Sequence, residues 1–240
     1  MEEPDDVKDD IWNQGDTLEN LKGRQKSFPV GHKKLIFGGT PTFKDFSRVE
    51  SGYKESNQLV FKAQCHECKD LIELDFNNLH YDEYQDRYID EIYGKDNPET
   101  AYYSCPSCNS IWDWEQKNRN IVAGKRFGFY DKWGNFSKGW HAKKEEVTET
   151  FGFHVPELLS SFSESDYTNL ARKEIKAKMA LARGDEGLLK SFVNNSKGLA
   201  YASGITALEA EELKMYRRNY PEHICPMEVL ELTCGIDVQG

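Results

Sequence analysis

The 240-residue sequence has few basic side chains and no long hydrophobic segment. Its 31 lysines and arginines face 41 aspartates and glutamates, which gives a net charge of −10. This balance argues against a generally basic nucleic-acid-binding protein, although a local basic channel stays open. No apolar run approaches the roughly 18 to 20 residues of a membrane span, and MEEPDDVKDD has neither the basic nor the apolar part of a secretory signal. We therefore expect a soluble, intracellular chain.

The sequence also lacks a G-x-x-x-x-G-K-[ST] phosphate loop. Four carboxylates near the N-terminus resemble those of a nucleotide hydrolase, but no apolar strand precedes them to hold them rigidly. They are Glu2, Glu3, Asp5 and Asp6. We interpret them as a solvated acidic loop.

Four of the six cysteines form a regular pattern. Cys65 and Cys68 make one C-x2-C pair, and after 36 residues Cys105 and Cys108 make a second. Two such pairs can surround Zn²⁺ tetrahedrally, and with four thiolates no coordination position stays open, so the metal would be structural. A redox pair or unmetallated thiols are the alternatives. His66 could replace a cysteine, but an exposed loop histidine is the favoured interpretation.

A short apolar run, Leu35 to Phe37, stops at Gly38-Gly39 and is followed by Thr40-Pro41-Thr42. The pattern predicts a buried strand that ends in a tight turn, where hydroxyls and backbone N–H groups could lie near a phosphate or a catalytic water. A plain strand-ending turn explains it as well.

Further elements follow from periodicity. Strands are expected on both sides of each cysteine pair, and residues 120–152 look β-like and aromatic. Apolar residues recur every four positions from Tyr167 to Met179, which predicts a helix capped by Ser165 or Asp166 and ended by Gly184.

Aromatic side chains between Tyr102 and Trp140 alternate with basic ones, which are Lys125, Arg126, Lys132, Lys138, Lys143 and Lys144. Such a mixture could stack on or follow nucleic acid. A β-rich core with a solvated lysine face explains it equally well.

Asp237 follows an apolar stretch, Val229 to Ile236, that reads as a strand. A carboxylate at a strand tip can hold Mg²⁺ in phosphoryl chemistry, provided that further carboxylates join it. Cys225 and Cys234 are unpaired by spacing and are expected in a core.

Several stretches, taken in order, resemble the large subunit of tailed-phage terminases of the lambda GpA-like family. They are GDTLENLKGRQKSF, KKLIFGGTPTFKDFSRVES, CHEC with AYYSCPSC, GFHVPELLS, LLKSFVNNSKG and LELTCGIDVQG. The resemblance implies an ATPase that drives DNA into a procapsid, followed by an RNase H-like nuclease that cuts the genome concatemer.

The fold implied by the resemblance is α/β. It comprises the tail end of a P-loop ATPase sheet (1–60), a zinc-ribbon-like β module (61–126), an aromatic β region with a helical linker (127–225) and the first strand of the nuclease (226–240).

The resemblance also implies residue roles. Thr40 looks like part of the ATPase coupling motif, with Gly39 and Arg24 near ATP. Asp237 looks like the first metal-binding aspartate of the nuclease, and the four cysteines look like the family's zinc-ribbon-like pairs.

The sequence departs from the family pattern in lacking a Walker A lysine, a Walker B acidic pair and later nuclease carboxylates. We therefore expect an internal piece of a longer protein that is inactive alone, with ATP and Mg²⁺ used only by the full-length enzyme. The implied partners are double-stranded DNA, the terminase small subunit, the portal protein and further copies of the chain, in the cytoplasm of a bacterial host. The alternative is a non-enzymatic zinc-ribbon module that binds nucleic acid or a partner protein.

Overall fold

The computed structural model describes residues 1–8, 15–29 and 32–202 of the chain. The chain divides into two units, Met1–Ala202 and Ser203–Gly240, and every described residue lies in the first. The expected strand with Asp237, together with Cys225 and Cys234, lies outside the described residues. Within those ranges, no helix has the length and apolar character needed to cross a membrane.

The described part is a mixed α/β structure of five α-helices and nine short strands. The helices are α1 (Thr17–Arg24), α2 (Arg48–Glu55), α3 (Trp114–Gly124), α4 (Tyr167–Ala182) and α5 (Gly187–Ser191). The strands are β1 (Leu59–Gln64), β2 (Leu71–Glu73), β3 (Leu79–Glu83), β4 (Asp96–Ser104), β5 (Ile111–Trp112), β6 (Gly128–Tyr130), β7 (Phe136–Lys138), β8 (Trp140–Ala142) and β9 (Phe153–His154).

The strands form three small sheets. In the first, β1 pairs antiparallel with β2 near one end and with β8 near the other, while β9 runs parallel to β1. The second is antiparallel in the order β3-β4-β5, and the third is the hairpin β6-β7. The strands expected beside the cysteine pairs are confirmed, since each pair connects two strands of one sheet.

The core lies where helix α4 covers the strands that carry the cysteines. Tyr103 and Trp112 are fully buried there, and α4 contributes Tyr167, Leu170 and Ala177. The predicted ends of α4 are confirmed: the Asp166 carboxylate accepts the N–H of Asn169 at 2.7 Å, and Gly184 adopts a φ of 85° just past the helix.

Helix α3 replaces the β structure expected for the start of residues 120–152. The Asp113 carboxylate caps it by accepting the N–H of Gln116 at 2.6 Å. Its last residue, Gly124, lies against β1 so closely that a Cβ there would meet the Lys62 carbonyl oxygen at 2.3 Å. The close approach excludes any larger side chain at this contact.

Lys117 of α3 is a buried lysine that has no carboxylate partner among the described residues. Its Nζ donates to the carbonyl oxygens of Leu158 at 3.0 Å and Ser160 at 2.6 Å, and lies 3.3 Å from the centre of the Trp114 ring. Burial lowers the pKa of Lys117 to about 7. This side chain joins α3 to the segment that precedes α4.

The prediction of a buried strand at Leu35 to Phe37 is wrong. Ile36 is 68% exposed, and the segment makes one parallel bridge, between Glu2 and Gly38, with the N-terminal residues. A ladder needs several successive backbone pairs. In the described ranges, the N-terminal residues supply too few of them.

Candidate functional site

The two cysteine pairs occupy turns of the same construction. In the first, the Cys65 N–H donates to the Asp70 carbonyl oxygen at 2.9 Å, and the Lys69 N–H donates back to the Cys65 carbonyl at 3.2 Å. In the second, the corresponding bonds join Cys105 to Ser110 at 2.9 Å and Asn109 to Cys105 at 2.8 Å. Each turn therefore presents both of its sulfurs on one side.

A left-handed residue follows each pair. Lys69 has a φ of 67° and Asn109 a φ of 58°, a region that asparagine tolerates better than lysine. This conformation returns the chain to the partner strand directly after the second cysteine. Both cysteine pairs therefore have the same turn hydrogen bonds and the same left-handed residue, which indicates that they act as one functional unit.

The four sulfur atoms lie together. All four are within 4.8 Å of one another, with Cys65 Sγ 3.8 Å from Cys108 Sγ and Cys68 Sγ 3.9 Å from Cys105 Sγ. These separations exclude a disulfide, which needs about 2.05 Å. They match the edge of a tetrahedron with metal–sulfur distances of about 2.3 Å, which is roughly 3.8 Å. The predicted grouping of the four cysteines is therefore confirmed.

Burial is unequal around the four-cysteine cluster. Cys65 and Cys105 are fully buried in the core, whereas Cys108 is exposed. The cluster thus lies at the margin of the core, where it links the hairpin β1-β2 to the sheet β3-β4-β5.

Ser110 contacts two of the sulfurs and was not singled out by its sequence pattern. Its Oγ lies 3.4 Å from Cys65 Sγ and 3.3 Å from Cys108 Sγ, and it accepts the indole N–H of Trp112 at 3.2 Å. The hydroxyl therefore lies within hydrogen-bonding distance of both sulfurs, where it can accept from a thiol, as it does from Cys108, or donate to a thiolate. A serine two positions after a C-x2-C pair is the only signal that the sequence offers.

Hydrogen bonding favours thiolate at Cys65. Burial alone would raise the pKa of this thiol, but hydrogen bonds from Ser110 and from the N–H groups of Cys68 and Glu67 lower it to about 6. The hydrogen bond from Ser110 also lowers the pKa of Cys108. Thiolates crowded this closely repel one another, which a bound cation would relieve.

His66 does not belong to the four-cysteine cluster. Its ring lies against Trp112 with centroids 6.3 Å apart, and its Nδ1 is 3.3 Å from the Asn120 amide nitrogen. His66 is a loop histidine as expected, but its side chain is half-buried and not exposed. The aromatic surface of Trp112, brought close by folding, accounts for the difference.

The N-terminal carboxylates hold the Gly38–Thr42 loop. Glu3 Oε2 accepts the Thr40 N–H at 3.0 Å, and Asp5 Oδ2 accepts both the N–H and the hydroxyl of Thr42 at 3.0 and 2.9 Å. The interpretation of Asp5 as part of a solvated loop is therefore wrong, because Asp5 is partly buried. Glu2, Glu3 and Asp6 are exposed as expected, although Glu3 also accepts the Thr40 N–H.

Asp5 is the most constrained of these carboxylates. Burial alone would raise its pKa, but hydrogen bonds from Ser47, Val49 and Thr42 lower it. Asp5 therefore joins the loop to the start of α2 as an ionised group.

The remaining predicted site residues are placed as follows. Gly39 lies against Glu3, whose backbone Cα would be 2.9 Å from a Cβ at that position. Arg24 is exposed at the end of α1, next to Gln25, whose side-chain amide donates to the Lys34 carbonyl at 3.1 Å. Asp237 lies outside the described residues.

Two family models match the chain. The family model described as phage terminase large subunit gpA, ATPase domain, matches residues 1–133. The model described as terminase large subunit gpA, endonuclease domain, matches residues 150–240. No curated protein and no solved structure matches the chain.

The first match covers more than half of the 240 residues, and the second covers most of the rest in the same order. The expected resemblance is thereby confirmed. The chain belongs to the phage terminase large subunit gpA family, whose ATPase and endonuclease domains make it a component of the phage DNA-packaging motor.

Proposed function

We propose that the four-cysteine cluster binds one structural Zn²⁺ that holds together a zinc-ribbon-like module of this terminase. The observation that carries the proposal is that four free thiols on two turns of the same construction lie within 4.8 Å of one another, with separations of 3.8 and 3.9 Å between the turns. Cys65, Cys68, Cys105 and Cys108 would be the ligands. Zn²⁺ would neutralise the charge of the thiolates and crosslink the two turns. It would leave no coordination position for a substrate, because all four ligands come from the protein.

Metal analysis and unfolding test the zinc centre. Protein purified under reducing conditions should contain about one Zn²⁺ per chain, and chelation should lower the unfolding midpoint. Cys108→Ser should lose the metal, while Cys225→Ser, which changes a cysteine outside the cluster, should keep it. Metal-free protein with an unchanged midpoint would contradict the proposal.

We further propose that Thr40 couples ATP hydrolysis to movement in the complete motor and that Glu3 is its partner. The Thr40 N–H donates to the Glu3 carboxylate, so a change in the charge or position of Glu3 reaches the loop directly. The close approach of Glu3 explains why glycine occupies position 39. Arg24 is proposed near ATP because its neighbour Gln25 bonds the segment that leads into this loop.

We propose in addition that Asp237 is a nuclease metal ligand, and that residues 1–60, 61–126, 127–225 and 226–240 correspond to the four parts expected above. These parts are the end of a P-loop ATPase sheet, the zinc module, the linker region and the first strand of an RNase H-like nuclease. Double-stranded DNA, the small subunit, the portal and further copies of the chain are the proposed partners, in the host cytoplasm.

We expect the 240-residue chain alone neither to hydrolyse ATP, because its sequence holds no phosphate-loop lysine, nor to cut DNA, because it lacks the later nuclease carboxylates that would join Asp237. Phosphate release and plasmid nicking, each measured with Mg²⁺, test this prediction. ATP hydrolysis that disappears in Thr40→Ala would contradict it. The same Thr40→Ala change, introduced into a terminase that packages DNA, should reduce hydrolysis-driven packaging.

A further inference from the structure

One surface feature is explained by neither the zinc centre nor the Gly38–Thr42 loop. Residues 125–138, here called the aromatic hairpin, contain β6 and β7, which pair in the register Gly128 to Lys138 and Tyr130 to Phe136. The Asp131 carboxylate closes the turn by accepting the N–H groups of Trp133 and Asn135, each at 2.9 Å. The strand pairing and these hydrogen bonds therefore fix the conformation of the hairpin.

The hairpin carries large aromatic side chains into water. Tyr130 is 71% exposed, Trp133 is 66% exposed and Phe136 is 38% exposed. The rings of Tyr130 and Phe136 lie opposite each other with centroids 4.9 Å apart. Because side chains alternate along a strand, Lys138 shares their face, while Phe129 lies on the other face near Phe151. Adjacent exposed aromatics of this kind mark an interaction surface.

The charge of the aromatic hairpin is opposite to that of the chain. Its basic residues are Lys125, Arg126, Lys132 and Lys138, and its one acidic residue is Asp131, so four positive charges less one negative charge leave +3. Both carboxylate oxygens of Asp131 already accept hydrogen bonds within the turn. Lys132 pairs with Glu149 at 3.0 Å and lies 4.9 Å from the Trp133 ring centre. The surface therefore suits an anionic partner with flat, apolar faces.

Single-stranded DNA has both properties. Exposed aromatic rings stack on unpaired bases, whose faces a duplex conceals, and lysine or arginine contacts the phosphates. An acidic peptide would satisfy the lysines and leave the aromatic rings without a partner. We propose that the aromatic hairpin binds single-stranded DNA, with Tyr130 and Trp133 stacking on bases and Lys125, Arg126 and Lys138 facing phosphates. The proposal rests on the family's action on DNA and is independent of the zinc centre.

Fluorescence anisotropy with a labelled 20-nucleotide single strand tests the stacking. Tyr130→Ala combined with Trp133→Ala should weaken binding at least about tenfold. The matched control changes Phe46 and Phe162, which are 87% and 77% exposed elsewhere, to alanine and should keep wild-type affinity. Trp133→Ala alone, at the turn, provides a second variant if the double variant unfolds.

Salt dependence tests the phosphate contacts. Lys125→Gln, Arg126→Gln and Lys138→Gln together should reduce the slope of log K against log salt by about 2, at roughly 0.7 for each contact on a single strand. The control Lys22→Gln, Lys54→Gln and Lys95→Gln makes the same change in net charge at residues that pair with glutamates. It should leave the slope unchanged.

Four outcomes would overturn the proposal. In the first, the protein does not bind the single strand; in the second, the aromatic variants and their controls lose the same affinity. In the third, the matched duplex binds more tightly than the single strand and Trp133→Ala has no effect. In the fourth, polyglutamate binds with the same affinity as the single strand. Metal content measured in the same samples separates this test from that of the zinc centre.

Discussion

At the scale of single residues, Ser110 is a side chain beside the four-cysteine cluster that can influence the proposed metal site without being a ligand. Its hydroxyl is held by the Trp112 indole on one side and contacts Cys65 and Cys108 on the other. Hydrogen bonds to a ligand's donor atom favour the thiolate form and fix its direction. If the cluster binds Zn²⁺ as proposed, Ser110 should raise its affinity for the ion.

Ser110→Ala should weaken Zn²⁺ binding by about 10-fold or more, the usual effect of removing a group that supports the ligands. Competition with a chromophoric chelator measures the affinity. Ser107→Ala is the matched control, because Ser107 is exposed within the same turn. Equal affinities for the two variants would show that Ser110 serves only packing.

At the scale of elements, the contact between α3 and β1 depends on Gly124. A Cβ at that position would lie 2.3 Å from the Lys62 carbonyl oxygen and 3.0 Å from the Ala63 Cα. Both are backbone atoms, which cannot rotate away as a flexible side chain could. Gly23 of α1 has open space around it, with nothing within 4 Å of a Cβ. The two glycines thus differ only in what lies beside their helices.

Gly124→Ala should lower the free energy of unfolding by about 1 to 3 kcal/mol, since overpacking forces the helix away from the strand. Gly23→Ala should raise it by up to about 1 kcal/mol, because alanine favours a helix over glycine. Denaturant titration of both variants measures the two effects. A loss of stability in neither variant would contradict the close contact at position 124.

At the scale of the whole molecule, Lys117 connects the two regions that the family models match. It lies within residues 1–133, and its two acceptors, Leu158 and Ser160, lie within residues 150–240. In an unfolded chain this lysine keeps its proton up to about pH 10.4, whereas burial lowers its pKa in the folded chain to about 7. The link between the regions is therefore sensitive to pH.

The sign of the effect follows from proton binding. Between about pH 7 and pH 10 the unfolded chain binds the extra proton, so the contribution of Lys117 to stability rises with pH, by at most about 1.4 kcal/mol per pH unit. Below pH 7 Lys117 is protonated in both the folded and the unfolded chain, so its contribution to stability does not change with pH.

Lys117→Met should remove this dependence. Denaturant titrations of both proteins from pH 6 to pH 9, with Zn²⁺ saturating, give the difference in stability, in which other titrating groups cancel. A difference that does not change with pH would contradict the lowered pKa.

Features whose physical causes are local could be predicted from the amino-acid sequence alone. The approach of the two sulfurs within each cysteine pair follows from their short spacing, and α4 follows from a four-residue apolar repeat with Asp166 and Gly184 at its ends. The order of the motifs also indicated the terminase family, which the matches over residues 1–133 and 150–240 confirm.

Contacts between segments far apart in the chain became known from the folded structure and not from the sequence. Glu3 and Asp5 meet Thr40 and Thr42 across 37 positions, and no periodicity links such residues. For the same reason, the sequence did not indicate that Lys117 would be buried against carbonyl groups 41 and 43 positions away. Polar groups pair with whichever partner the folded backbone brings within about 3 Å, and burial makes leaving them unpaired costly.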